Sequence, residues 1–300
     1  MGIDPAMGIE RVLEMRLVPL GTGSILMRGG RSASGYLLEA YGQRTLIDCG
    51  PGTLLRLQQA GVAPETIDHV VLSHFHPDHH ADLLPLLFLR NNPSLTATSD
   101  LVLHGPPGLQ RILDAWDSVY GKWTRHPRER VHEFEPGPHA IGDLMVVAHR
   151  AAHTMPSYVY RVSRRDGGGP VLVYSGDSGP CAELTQACHG ADFCVLECSV
   201  PDDAPREARD GHMTPTDVAR IVADAKPRCV ALTHFYPAMF PLLSDFAGLE
   251  RMILDEARLD GSTVRTRFLI LEDLQAIEID SGVRATDSPP CRQAGRNECH

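Results

Sequence analysis

Lysine is nearly missing from this 300-residue chain: of 28 Lys and Arg residues only Lys122 and Lys226 are lysine, and 38 acidic residues leave a formal charge of −10. Affinity for a long polyanion comes from clustered cations that displace counterions, so extended nucleic acid is disfavoured as a partner, while a small phosphate ester is not. No run of eighteen apolar residues occurs, and the start, MGIDPAMGIERVLEMR, lacks the continuous apolar core of a signal peptide. A soluble, cytoplasmic protein without membrane contact is the expectation. The eight cysteines (49, 181, 188, 194, 198, 229, 291, 299) form no CxxC pair, which favours reduced thiols, mostly in the core. Cys194 and Cys198, flanking VLE near a candidate active strand, stay open as minor ligand candidates. Residues 1–14 read as a tag remnant or disordered start and the polar, aperiodic 281–300 as a disordered tail, leaving a single domain over 15–280.

What is present is a hydrophobic share of 43%, ample for a sizeable core. Strands are expected at MRLVPL, GYLLEA, RTLID, HVVLS, LVLHG, LMVVAH, YVYRV, PVLVYSG, DFCVLE and CVALTH. Helices are expected at PGTLLRLQQAG, DHHADLLPLLFLR, GLQRILDAWDSVYG, AELTQACHG, TPTDVARIVADA and PLLSDFAGLERMILDEARL. Interleaving of this kind implies mixed sheet covered by helices. Several strands stop on metal-type residues: SHFHPDHH after HVVL, AHT after LMVVA, SGDSG after PVLVY and THF after CVAL. Strand ends are where α/β folds gather functional side chains over a shared crevice.

His74 and His76, two apart in extended chain, point the same way and can grip one ion. Asp78 and His79 follow Pro77, where a helix begins, and can be aimed at a second. His153 completes the first set, His234 the second, and Asp177 offers one oxygen to each. Two divalent cations so held lower the pKa of a shared water, which becomes the nucleophile, and neutralise charge on the hydrolysed centre. Nitrogen and carboxylate donors favour Zn2+, with Mn2+ or Fe2+ as alternatives. His80 is expected beside or outside the site, and His104, His126, His132, His139, His149, His189 and His300 at the surface or in packing. Phe75, Phe235 and Tyr236 adjoin ligands and could wall a pocket.

From about Leu17 to Ile279 the order of LGTGS, LIDCGPGT and SHFHPDHH resembles the metallo-β-lactamase superfamily. The resemblance implies a four-layer αββα sandwich of two mixed β-sheets flanked by helices, with a dinuclear site along one edge and Asp48 supporting it without binding metal. A bridging Asp177 is unlike the commonest zinc lactamases, and AHTMPSYVYR lacks the GHTPG of glyoxalase II and lactonase relatives. HGPPG, LEC and GHMTP are instead similar to motifs of ribonuclease Z-like proteins. Carried over, His212 acts near the scissile phosphate as general acid or transition-state stabiliser, Glu197 orients it, Thr214 helps hold phosphate, and Asp78 serves in catalysis as well as ligation. Only 24 positions separate His153 from Asp177, too few for the arm that bacterial tRNA-processing members insert there. The expectation is therefore a binuclear hydrolase of a small or cyclic phosphodiester, with homodimerisation common in that branch. Hydrolysis of a lactone, β-lactam or aryl sulfate, ribonuclease Z-like tRNA cleavage, and non-catalytic metal binding are the alternatives.

Overall fold

The computed structural model describes residues 15–95, 100–125, 128–258 and 263–280, and the backbone of 291–293. The expectations for 1–14 and 281–300 lie outside these residues, apart from one short strand, Cys291–Gln293. In chain order the strands are β1 (Met15–Gly21), β2 (Gly35–Ala40), β3 (Gln43–Cys49), β4 (His69–Val71), β5 (Leu101–Gly105), β6 (Glu129–Glu133), β7 (Gly137–Ile141), β8 (Leu144–Arg150), β9 (Tyr158–Arg164), β10 (Leu172–Tyr174), β11 (Phe193–Glu197), β12 (Cys229–Thr233), β13 (Arg267–Ile270), β14 (Ile277–Ile279) and β15 (Cys291–Gln293). They form two sheets, ordered β15-β14-β1-β2-β3-β4-β5-β6 and β13-β12-β11-β10-β9-β8-β7. Both sheets are mixed: β3 to β6 run parallel in the first and β10 to β13 in the second, each continued by antiparallel neighbours.

The α-helices are α1 (Thr53–Gln59), α2 (Pro77–His80), α3 (Leu83–Arg90), α4 (Leu109–Tyr120), α5 (Ala182–Cys188), α6 (Arg206–Arg209), α7 (Pro215–Ala225), α8 (Phe240–Leu243) and α9 (Phe246–Ala257). Strand periodicity separates three core layers. In β2, Tyr36 and Leu38 face the other sheet while Leu37 faces α1 and α3; in β12, Cys229 and Ala231 face inward while Val230 and Leu232 face α7 and α9. Burial on both faces explains why these strands read as continuous apolar runs. The four-layer αββα sandwich expected from the sequence is the observed fold.

Two expected helices are each broken in two. DHHADLLPLLFLR divides into α2 and α3 at Ala81 and Asp82, because Asp82 is committed to the neighbouring loop: its carboxylate accepts from the Gly52 and Leu54 N–H groups at 3.0 Å each. That break lets the single turn of α2 face Asp78 and His79 inward. PLLSDFAGLERMILDEARL divides at Asp245, whose side chain accepts from the Gly248 N–H at 3.0 Å and starts α9 as its N-cap. Among the described residues, no helix is long and apolar enough to cross a membrane.

Candidate metal centre

The carboxyl ends of β4, β8, β10 and β12 lie together, and they deliver every side chain singled out as a ligand. Beyond β4 come His74, His76 and, through α2, Asp78 and His79; β8 leads to His153, β10 to Asp177 and β12 to His234. The chain pays conformational strain for one of these ligands, His234, and for Asp48 behind the site. Asp48 and His234 both sit at φ 58°, in the left-handed region that side chains with a Cβ avoid unless the surroundings impose it.

The donors fall into two sets that share one carboxylate. In the first, His76 Nδ1 lies 3.1 Å from His74 Nε2 and 3.0 Å from His153 Nε2, with Asp177 Oδ2 3.8 Å from His74 Nε2. In the second, His79 Nε2 and His234 Nε2 are 3.3 Å apart, and Asp78 Oδ2 is 3.6 Å from His234 Nε2. Asp177 Oδ1 completes that set, 3.3 Å from His79 Nε2 and 3.4 Å from His234 Nε2. A tetrahedral ion with bonds of about 2.0–2.1 Å places its donors about 3.3 Å apart, the spacing seen here.

Hydrogen bonds behind the rings fix which nitrogen faces the centre. His79 Nδ1 donates to Asp48 Oδ2 (2.7 Å) and His153 Nδ1 to the Gly211 carbonyl (2.9 Å), so each turns its Nε2 toward the centre. The remaining Nε2 donors are set by two serine relays. The Ser73 hydroxyl donates to Asp48 Oδ2 (2.8 Å), leaving its lone pair to accept from His74 Nδ1 (3.0 Å). Likewise the Ser199 hydroxyl donates to Glu197 Oε2 and accepts from His234 Nδ1 (2.9 Å). Ser73 and Ser199 were not foreseen, since a serine beside a ligand has no distinguishing local pattern. Tyr174, from β10, adds a third donor to Asp48 Oδ2.

Lone pairs turned toward one another at about 3 Å repel unless a cation or proton lies among them. Burial, reinforced by His79, pushes the His74 imidazole well below its ordinary value, so it is a neutral donor. Burial alone would raise the Asp177 carboxyl, but His234 and His79 outweigh it and hold the group well below the usual range. Asp177 Oδ1 is buried without a hydrogen-bond partner, a costly state for a carboxylate oxygen unless something positive meets it. The arrangement therefore fits a pair of divalent cations. Exchanging Asp48 for asparagine, which removes the carboxylate behind both His79 and His74, is expected to weaken zinc affinity about 10–100-fold, measured by competition with a chelating dye.

His212 stands beside this centre, its ring stacked 5.8 Å from that of His234, and its Nδ1 bonds Glu197 at 3.2 Å. Glu197 is fully buried and also accepts from the Ser178 and Met213 N–H groups at 2.8 and 3.1 Å. Thr214 is buried and spends its hydroxyl on the capping box of α7 with Asp217, so its contribution next to His212 is to fix the backbone there. The open cleft above has a volume of about 950 Å³, with His76, Asp78, His153, Asp177 and His212 among its lining together with Ile25, Leu26, Val200, Pro201, Asp203 and Pro205. Tyr236 lines it too, whereas Phe235 is buried beneath Arg31 and Phe75 packs against the α3 and α4 layer. Cys194 and Cys198 are buried in the layer between β11 and the helices α5 and α7, away from the donors. His80 bonds the His76 carbonyl at 2.9 Å and stacks on Trp116.

Residues 43–235 match the family model described as "Beta-lactamase superfamily domain", which spans most of the chain and all of these donors. The chain belongs to the metallo-β-lactamase superfamily. Within it, the chain sits in the ribonuclease Z-like branch: it is 30% identical over 288 residues to "Ribonuclease Z" of Mycobacterium sp. (strain KMS), covering 88% of this chain and 96% of that protein. It is 33% identical over 240 residues to the uncharacterized protein ML1173 of Mycobacterium leprae, covering 78% of this chain and 82% of that one. The metallo-beta-lactamase fold protein YhfI from Bacillus subtilis superposes with a TM-score of 0.69 at 24% identity, over 87% of this chain and 98% of YhfI, which shows the shared fold.

Proposed function

We propose that this superfamily member is a phosphodiesterase acting on a small or cyclic phosphodiester. The observation that carries the reading is the His212–Glu197 pair set beside the doubled donor set, a proton donor adjoining the place where two cations would be held. His74, His76 and His153 would hold one cation, Asp78, His79 and His234 the other, and Asp177 both. When bound, the cations supply an acidified water and neutralise charge on the reacting phosphate. The chain's own groups do the rest. Burial alone would lower the His212 imidazole, but the Glu197 carboxylate and its hydrogen bond outweigh burial and raise it to about 9. At neutral pH the ring is an imidazolium whose Nδ1–H is held by Glu197, leaving Nε2–H for the departing alkoxide. Asp78 keeps the second set anionic and accepts from the Ile25 N–H (3.2 Å), tying the cleft lip to the centre.

Two features favour a compact diester over the RNA suggested by the name of the ribonuclease Z relative. The chain from His153 to Asp177 is filled by β9, a short turn and β10, without an arm, and among the described residues lining the cleft Asp203, Glu207 and Asp210 face Arg28, with Arg206 and Arg209 on the same short helix outside the lining. Acidic rims repel extended polyanions. After reconstitution with zinc or manganese, turnover of bis(p-nitrophenyl) phosphate is expected to exceed that of a lactone, a cephalosporin and an aryl sulfate in one side-by-side panel. Faster turnover of any of the other three would transfer the reading to carbonyl or sulfate esters. A metal-loaded protein inert toward all four would make it a binding protein.

A further inference from the structure

Two segments bring apolar side chains into the same cleft as the metal donors. Ile25 and Leu26, from the turn between β1 and β2, both line it, and they are 46% and 50% exposed. From the stretch between β11 and α6 come Val200, Pro201, Ala204 and Pro205. Single exposed apolar residues are ordinary, but a group of them gathered in one cleft marks a ligand surface. Neither segment hangs loose. The Asp273 carboxylate accepts from the Thr22 N–H and hydroxyl (2.9 and 2.8 Å) and from the Ser32 N–H (2.7 Å), closing the base of the turn, and the Ile25 N–H bonds Asp78. The other segment is tied at both ends: the Ser199 N–H donates to the Met213 carbonyl and the His212 N–H to the Arg209 carbonyl, both at 3.1 Å. Each apolar wall is thereby fixed to a group of the site itself.

Resting on the phosphodiesterase reading above, we propose that Ile25 and Leu26, with Val200 and Pro205, form a specificity subsite for an apolar ester substituent about the size of one aromatic ring. A cleft of about 950 Å³ is large enough for a drug-sized ligand, so a phosphate held at its metal end leaves room beyond it. A substituent that reaches these side chains gives up water and finds no hydrogen-bond partner on them. That penalises a hydroxylated group and favours a hydrocarbon or aryl one. Leu26 is the residue to test, because its half-exposed side chain can be replaced without opening the core, and it donates nothing to the metal centre.

Calorimetric titration of the zinc-loaded full chain with phenylphosphonate and with methylphosphonate tests this without turnover, since the two share a head group for the cations and differ in the arm. Wild type is expected to bind the phenyl compound about tenfold more tightly, the gain from burying most of one ring. In Leu26→Ser that ratio should fall to about threefold or less, and in Leu26→Met it should return to near the wild-type ratio because the thioether keeps the apolar volume. Val119→Ser, which removes an exposed apolar side chain on α4 outside the cleft, should keep the wild-type ratio. A ratio near one in wild type, or the same ratio in wild type and Leu26→Ser, would overturn the subsite. The two readings fail separately: the expected ratios in a protein that hydrolyses no diester would uphold the subsite and refute the reaction, and diester turnover with a ratio near one would do the reverse. Binding of neither phosphonate would overturn both.

Discussion

Asp177→Asn protein is expected to lose metal and turnover together. Both carboxylate oxygens have work that an amide cannot share: Oδ2 faces the set of His74, His76 and His153, and Oδ1 faces His79 and His234. An amide offers one oxygen and turns an N–H donor toward the other set, adding repulsion where a negative charge had been. The fold should tolerate the change, because the Asp177 backbone carbonyl remains bonded to the Ser157 hydroxyl (3.1 Å) and the lost oxygen carries no hydrogen bond. Circular dichroism is therefore expected to match wild type, with bound zinc reduced and kcat lowered by about 10³-fold or more, as the acidified water and charge neutralisation disappear together. Full diester turnover by a metal-free Asp177→Asn protein would contradict the proposed chemistry.

His212→Asn should separate what Asp177→Asn removes together. The donors of both sets survive, so metal content is expected to equal wild type, while kcat falls about 10²–10⁴-fold through loss of a positioned acid. The pH profile supplies the sign. Because His212 is raised to about 9, the donor is protonated below that pH and lost above it, so wild-type kcat declines on the alkaline side. Cations bound next to the ring add positive charge and shift this limb toward lower pH. The limb should be absent from His212→Asn. An unchanged profile, or metal lost with the histidine, would assign the ring to ligation instead of proton transfer.

How much of this was legible beforehand follows from the range over which each feature is encoded. His74, His76, Asp78 and His79 sit within one short motif, and His153, Asp177 and His234 each close an apolar strand, so local pattern and topology together found a set that the structure brings into contact. The relays through Ser73 and Ser199 depend on Asp48 and Glu197 arriving from other strands, and no sequence spacing records that. The splitting of two helices was hidden because Asp82 and Asp245 occur inside otherwise helical periodicity and act only through partners made by the turn. β6 and β7 were missed since Pro136, Gly137 and Pro138 interrupt ERVHEFEPGPHAIG and exposed residues alternate there irregularly. Without those strands, His132 and His139 had no visible relation to His104, whose cavity they share only in the structure.

The central claim is that seven side chains from separate strand ends converge on two cations bridged by Asp177. It is tested most directly by anomalous diffraction at the zinc edge from crystals of the zinc-loaded protein. Two peaks are expected, one among His74, His76 and His153 and one among Asp78, His79 and His234, with Asp177 between them. A cleft empty of anomalous density at saturating zinc, or peaks found only elsewhere on the molecule, would contradict the account.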